Sequence, residues 1–112
     1  VTMDQQSIDK QSIEDLVYGA TLSHLAVENR DIKFLTNVNK EDLLIKDRDG
    51  ETPLHYAALN DDLEICKLLI LRNPELINIK DIENKTAYDW SYEYNLEYNS
   101  HIDIINELKQ YL

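Results

Sequence analysis

The fold is decided by one stretch, Asp49-Gly50-Glu51-Thr52-Pro53-Leu54-His55-Tyr56-Ala57-Ala58. Thr52 belongs to the residue types that cap a helix N-terminus, and Pro53 suits the first helical position because its missing N–H needs no partner there. Ala57 and Ala58 are small enough to let two helices approach each other closely. The stretch therefore predicts a turn that is followed by a closely packed helix.

The residues that follow predict a second helix. Asp61 or Asp62 can cap its N-terminus. Ile65, Leu68 and Leu69 then fall on one face at helical spacing. The local unit is therefore a helix-turn-helix with one apolar face, which must be covered by something else.

The same unit recurs on both sides along the chain. Asn39–Thr52 aligns without gaps onto Asn73–Thr86. Upstream, Thr21–Asn29 aligns in the same way onto Thr52–Asn60, with a slightly shorter spacing between the two copies. Self-similarity at a nearly fixed period indicates a stack of repeated supersecondary units.

The central unit, residues 49–58 with the helix after them, resembles the signature of the ankyrin repeat, a family with units of about 33 residues. The resemblance implies an all-α solenoid of helix-turn-helix units joined by short hairpin-like turns. It divides the chain into three repeats within one compact domain, at about residues 20–46, 47–80 and 81–112. The outer two repeats depart from the pattern, as end caps should, because each has only one neighbouring repeat.

The N-terminal residues, 1–19, are expected to form a tail and a cap helix. Residues 7–18 are amphipathic, with Ile13, Leu16 and Val17 on the apolar side. This spacing places the three side chains on one helical face.

The last repeat departs from the period in its length. About five extra residues, near Leu96–Ser100, are expected before its second helix. In that helix the spacing predicts a buried face made of Ile102, Ile105, Leu108 and Leu112.

Composition excludes several classes of function. The 112 residues contain 22 acidic and 11 basic side chains, which gives a net charge of −11. This charge opposes binding to nucleic acid or to an anionic membrane, and it permits attraction to a basic protein partner. The longest apolar run, Leu68–Leu71, is too short to span a bilayer, and a single cysteine excludes an internal disulfide. We expect a monomer without a cofactor.

Few side chains are candidates for catalysis or metal binding. His24 and His55 occupy equivalent repeat positions, where the resemblance implies hydrogen bonds that tie one repeat to the turn of the next. His101 is expected to be exposed and neutral at the start of the last helix. Cys66 is expected to be a small apolar side chain, and nothing around it supports a cysteine protease. Residues 47–50 resemble part of a calcium loop, but the expected bidentate Glu is absent. We therefore expect no enzyme and no metal site.

The resemblance implies that a protein partner binds the concave side. One repeat position there, the residue after the motif histidine, carries bulky side chains in all three units. The candidate partner-binding residues at this position, at the neighbouring inner positions and at the turn tips are Leu25, Asn29, Arg48, Glu51, Tyr56, Leu59, Asn60, Ile82, Lys85, Trp90, Glu93 and Tyr94. Aromatic residues are enriched at binding hot spots, and the surrounding acids suit a partner with apolar and basic groups.

Several alternatives stay open at this point. Trp90 either belongs to the binding surface or is covered by the extra residues of the last repeat as part of a tyrosine-rich cap. The chain is a protein-interaction module, an acidic inhibitor or immunity-type protein that blocks a basic enzyme such as a nuclease, or a structural fragment of a longer ankyrin-repeat effector. The many residues with AT-rich codons fit an intracellular bacterium, and also some eukaryotes and large viruses. We expect a cytoplasmic protein, which in the bacterial case could be delivered into a host cell.

Overall fold

A computed structural model describes residues 21–112, so the predicted tail and cap helix at residues 1–19 lie outside the described residues. The described part is all-α, as predicted. Its elements are helix α1 (Leu22–Glu28), helix α2 (Ile32–Asn37), a 3-10 turn (Lys40–Leu44), helix α3 (Pro53–Leu59), helix α4 (Leu63–Arg72), a 3-10 turn (Pro74–Asn78), helix α5 (Ala87–Tyr98) and helix α6 (Ile102–Lys109).

The helices form two layers that follow from the repeat. Helices α1, α3 and α5 pack side by side in one layer, and α2, α4 and α6 do so in the other. Each first helix also packs against the second helix of its own repeat. The core between the layers is formed by fully buried aliphatic side chains, among them Leu54, Ile65, Leu69, Ile104 and Leu108.

A threonine caps the N-terminus of the first helix in every repeat. Thr21, Thr52 and Thr86 each accept a hydrogen bond from the backbone N–H three residues on, and the side chain of that third residue accepts one from the threonine N–H. This reciprocal capping satisfies two backbone donors that the helix itself leaves unpaired. In the second helices of the first two repeats the caps are Asp31 and Asp62, so the choice between Asp61 and Asp62 falls on Asp62.

Hairpin-like turns precede α3 and α5. In the first, Asp47 N–H donates to Glu51 O over 2.9 Å, and Asp81 and Lys85 repeat the bond at 2.9 Å in the second. Gly50 takes φ +78°, and Asn84, its partner in the alignment, takes φ +65°. Asn substitutes for Gly because it tolerates the left-handed region better than most side chains.

The last repeat differs from the sequence prediction at the buried face of its second helix. Its first helix, α5, has 12 residues, whereas α1 and α3 have seven each, so most of the predicted extra length lies in α5. The buried face of α6 is Ile104, Ile105 and Leu108, whereas Ile102 and Leu112 are 54% and 68% exposed. The predicted face was therefore wrong at its two ends, because Ile102 begins the helix on its solvent side and Leu112 lies beyond the last helical residue.

Candidate functional site

Two buried histidines fix the spacing between repeats. His24 Nε2 donates to Glu51 O over 2.7 Å, and His55 Nε2 donates to Lys85 O over 3.0 Å. Each Nδ1 accepts the N–H of its capping threonine at 3.1 Å, which requires the proton to lie on Nε2. Burial lowers the pKa of both rings, so both are held neutral. These histidines tie each repeat to the turn of the next, as the resemblance implies.

The expectation that His101 is exposed was wrong. The residue is 9% exposed, and its Nε2 donates to Leu59 O over 3.0 Å, which joins the start of α6 to the end of α3. The backbone of His101 is left-handed at φ +65°, whereas the expectation assumed an ordinary solvent-facing helix start. His101 is therefore a structural tie within the described core.

Two carboxylates hold the aromatic rings of the middle and last repeats. Tyr56 Oη donates to Asp47 Oδ2 over 2.6 Å, and Trp90 Nε1 donates to Asp81 Oδ2 over 2.6 Å. The other oxygen of each carboxylate accepts two backbone N–H groups of its own turn at 2.9–3.1 Å. Each aspartate thus closes a turn and orients the ring that follows it by nine residues. We call the two pairs, Asp47–Tyr56 and Asp81–Trp90, the aromatic clamps.

The clamps also shift proton affinities. Burial and the bond to Asp47 raise the pKa of Tyr56, so the phenol keeps its proton. Burial of Asp81 acts in the opposite sense to its hydrogen bonds, but the bonds from Trp90 and from two backbone N–H groups prevail and hold its pKa below the usual range. Neither clamp was predicted from the sequence, although an aspartate nine residues before an aromatic donor in two repeats was a usable signal.

The three bulky side chains of the predicted stripe, Leu25, Tyr56 and Trp90, are all half-buried. The Tyr56 ring meets the His24 ring edge-on at 4.7 Å between centroids. Trp90 is covered in part by the ammonium of Lys85, 4.3 Å from the ring centroid. The three side chains of the stripe are therefore neither fully exposed nor fully buried in the core.

A tyrosine cluster extends the stripe along α5. Tyr94 contacts the rings of Trp90, Tyr98 and His101 edge-on, with centroids 5.5–6.5 Å apart. The cluster covers only part of Trp90, which stays half-buried. The contact with Tyr94 agrees with the cap role of Trp90, whereas its binding role stays a prediction.

Predicted site residues of the middle repeat meet in one depression. Glu51, Tyr56, Leu59 and Asn60 line about 210 Å³ together with Glu28. The Asn60 amide donates to Glu28 Oε2 over 3.1 Å, which links the ends of α1 and α3. This depression offers a phenol ring, an aliphatic wall and two carboxylates to a ligand.

The other predicted residues lie outside this depression. Lys85 and Glu93 form an ion pair at 2.8 Å and line a second depression of about 400 Å³ with other residues of α5. Arg48 and Ile82 are exposed at the turn tips, Ile82 by 70%. Asn29 is exposed at the end of α1. The structure therefore divides the predicted site into two groups, with tip residues beside them.

The depression is electrostatically negative at the turn tips. Burial, together with the negative charges of Asp47, Asp81, Asp49 and Glu83, raises the pKa of Glu51 to about 7. A positive group placed beside these carboxylates would relieve their mutual repulsion. The geometry is therefore suited to a cationic side chain.

The described residues carry few other chemical features. Cys66 is fully buried, and burial raises the pKa of its thiol, which suppresses nucleophilic reactivity. Within residues 21–112, no group of three His, Cys, Asp or Glu side chains could hold a metal ion. Over the same range, the helices are too short or too polar to cross a bilayer.

Comparisons with known proteins agree with this architecture. A family model described as ankyrin repeats (many copies) matches residues 37–90. A protein of Rickettsia bellii (strain RML369-C), named as an ankyrin repeat protein, is 41% identical over 66 residues, which are 58% of this chain and 36% of that protein. Ankyrin repeat-containing protein C6C3.08 of Schizosaccharomyces pombe is 38% identical over 63 residues, which are 56% of this chain and 27% of that protein.

The repeat register, the two helical layers and these matches together define the class of protein. The matched part of the chain, residues 37–90, belongs to the ankyrin-repeat family. Ankyrin repeats are generally protein–protein interaction modules, and the family is typically non-enzymatic. The chain spans about a third of the length of these curated relatives, or less.

Proposed function

We propose that this chain binds a partner protein through the face of α1, α3 and α5, and that the bound segment carries basic and aliphatic side chains. The single observation behind the proposal is the pair of aromatic clamps. Each clamp holds a half-buried aromatic ring at the same repeat position, so the two rings are oriented before any partner arrives. Rings fixed in this way lose little conformational entropy on binding, which favours affinity.

Charge supports the basic character of the partner segment. Glu28 and Glu51 border the depression beside Tyr56, and the neighbouring turn tips add further carboxylates. The chain as a whole carries −11. A lysine or arginine in the depression would meet both an aromatic ring and carboxylates, and Leu59 would contact an aliphatic neighbour of that residue.

Selection from a display library of short random peptides tests the proposal. Wild-type protein should enrich peptides that combine Lys or Arg with aliphatic residues. The double variant Tyr56→Ala/Trp90→Ala, shown to be folded by circular dichroism, should lose most of this enrichment. A matched control, Leu71→Ala/Tyr111→Ala, removes two side chains that are 80% and 46% exposed and lie outside α1, α3 and α5, and it should select the same peptides as wild type. Equal enrichment by wild type and the Tyr56/Trp90 variant would refute the proposal.

The carboxylates at the turn tips favour a second candidate, an acidic inhibitor or immunity-type protein that blocks a basic enzyme. Binding would then depend mainly on charge and would weaken steeply as salt screens it. Replacing Glu51 and Glu83 by glutamine would reduce affinity far more than replacing Tyr56 and Trp90 by alanine. The reverse order of effects favours the interaction module.

The remaining hypotheses stay predictions. They are a cytoplasmic location, delivery into a host cell, a monomeric state and membership of a longer ankyrin-repeat effector. Sedimentation of the purified chain tests the monomer. Sequencing of the gene on both sides of the present residues tests the longer protein.

A further inference from the structure

A lysine of the last repeat occupies the face of the Trp90 ring. The ammonium of Lys85 lies 4.3 Å from the centroid of the indole, which is within the range of a cation–π contact. The same nitrogen is 2.9 and 2.8 Å from the two carboxylate oxygens of Glu93. The bond to Glu93 raises the pKa of Lys85, so the ammonium keeps its charge. The place that a partner's cation would take at Trp90 is therefore filled by a cation of the chain itself.

The backbone of Lys85 is fixed in the turn that precedes α5. Its N–H donates to Asp81 Oδ1 over 3.1 Å. Its carbonyl accepts the N–H of Asp81 at 2.9 Å and Nε2–H of His55 at 3.0 Å. Because Asp81 also accepts the indole N–H of Trp90, one aspartate fixes both the ring and the base of the lysine side chain. The contact between lysine and indole thus follows from the closed turn.

The middle repeat carries the opposite charge at the equivalent place. In the alignment of the two repeats, Trp90 corresponds to Tyr56. Lys85 corresponds to Glu51 in the same alignment. The described residues that line the depression beside Tyr56 include two carboxylates, Glu28 and Glu51, and the others are uncharged. Two aromatic rings in one register therefore differ in their surroundings, since one lies beside a lysine and the other beside carboxylates.

We infer that Lys85 sets the charge specificity of the binding face, so that a bound segment places a basic side chain at Tyr56 and an uncharged side chain at Trp90. This inference rests on the proposed function, because it concerns the partner of the same face. A cation at Tyr56 would gain an aromatic ring and two carboxylates. A second cation at Trp90 would either displace the Lys85 ammonium from the ring and from Glu93 or be repelled by it. Repulsion of this kind is a common source of specificity between partners.

Charge reversal at position 85 should convert the last repeat into a second cation site. Lys85→Glu introduces the residue that the middle repeat carries at the equivalent position, and it leaves the Trp90 ring without its ammonium. Helices α3 and α5 are neighbours, and packed helices lie about 8–10 Å apart. An extended peptide advances about 3.3 Å per residue, so the two cation sites would accept basic residues about three positions apart.

The single tryptophan reports this change without any peptide. The probe is N-acetylarginine amide, titrated against sodium chloride at equal ionic strength, and the readout is the Trp90 indole N–H signal in NMR spectra. The signal should respond severalfold more in Lys85→Glu than in wild type, with Lys85→Gln between them. The matched control Lys67→Glu makes the same change in net charge at an exposed lysine of α4, and it should respond like wild type.

Selection from the peptide library tests the consequence for the partner. Wild type should enrich peptides with one basic residue among aliphatic ones. Lys85→Glu should enrich peptides with two basic residues at the spacing set by α3 and α5, whereas Lys67→Glu should select like wild type.

Two results would overturn the inference. One is an equal indole response to N-acetylarginine amide in wild type and in folded Lys85→Glu. The other is selection of the same peptides by wild type and by Lys85→Glu. Should Lys85→Glu fail to fold, Lys85→Gln decides, because it removes the same cation without adding a charge. A wild-type selection without basic peptides contradicts the proposed function instead, and the indole response still decides the role of Lys85.

Discussion

The histidine tie between the middle and last repeats gives a quantitative prediction. His55→Leu removes the bond from Nε2 to Lys85 O and leaves the fully buried Thr52 without a partner for its N–H. A buried donor left unpaired costs about 1–3 kcal/mol, and the lost bond to the half-buried carbonyl adds about 1 kcal/mol. The free energy of unfolding should therefore fall by about 2–4 kcal/mol, a large share of the roughly 5–15 kcal/mol typical of a domain.

The last repeat offers a matched control for this substitution. Asp89 stands at the equivalent position and accepts the Thr86 N–H over 2.9 Å, but it makes no bond to another repeat among the described residues. Asp89→Leu therefore removes a cap alone and should cost only about 1 kcal/mol. Urea unfolding followed by circular dichroism and by fluorescence of the single tryptophan, Trp90, measures both variants. A His55→Leu cost no larger than that of Asp89→Leu would refute the reasoning.

Three further predictions concern pH and backbone geometry. Because burial lowers the pKa of His24 and His55 below the unfolded value of 6.5, the unfolded chain binds more protons, and the urea midpoint should fall as pH drops below about 6.5. The pKa of Glu51 is raised from 4.5 to about 7, so the free energy of unfolding should fall as the pH rises from about 4.5 to about 7. Glu51→Gln should therefore raise the melting temperature more at pH 8 than at pH 5, unlike the exposed Glu41→Gln. Gly50→Ala should lower the unfolding free energy by about 1–3 kcal/mol, measured in urea, because an added Cβ would lie 2.9 Å from a backbone nitrogen at φ +78°.

The sequence predicted the parts of the fold that depend on local rules. Thr52 and Pro53 predict a helix start, and the alignment of the two turns extends that prediction to Thr86. By the same capping rule, Asp62 predicts the start of the second helix. The burial of Ile65 and Leu69 follows from helical spacing, since only one face of α4 can meet the rest of the stack.

The error at His101 arises where one backbone angle decides the outcome. His101 is left-handed, a conformation that few non-glycine residues adopt, and this conformation turns its ring toward Leu59. The predicted face of α6 was right at Ile105 and Leu108 and wrong at its two ends, and it missed the buried Ile104. Helical spacing alone does not show where a helix begins and ends, and this decides the exposure of Ile102 and Leu112.

The candidate site was predicted as a set of positions but not as a set of contacts. The repeat register places Tyr56 and Trp90 at equivalent positions. The register does not predict that Asp47 and Asp81 hydrogen-bond to these two rings. Such a bond joins residues nine positions apart, and it forms only because the turn between them is closed. Only the tertiary structure shows the two hydrogen bonds that orient these rings.

Mapping the binding site of a display-selected basic peptide tests the central claim most directly. In nitrogen-15 NMR spectra the indole N–H of Trp90 is a unique signal, since the chain contains one tryptophan. We predict that titration shifts this signal and the amides of α1, α3 and α5 most strongly, and that the Tyr56→Ala variant weakens the response. Shifts confined to α2, α4 and α6, with the Trp90 indole unchanged at saturation, would contradict the claim.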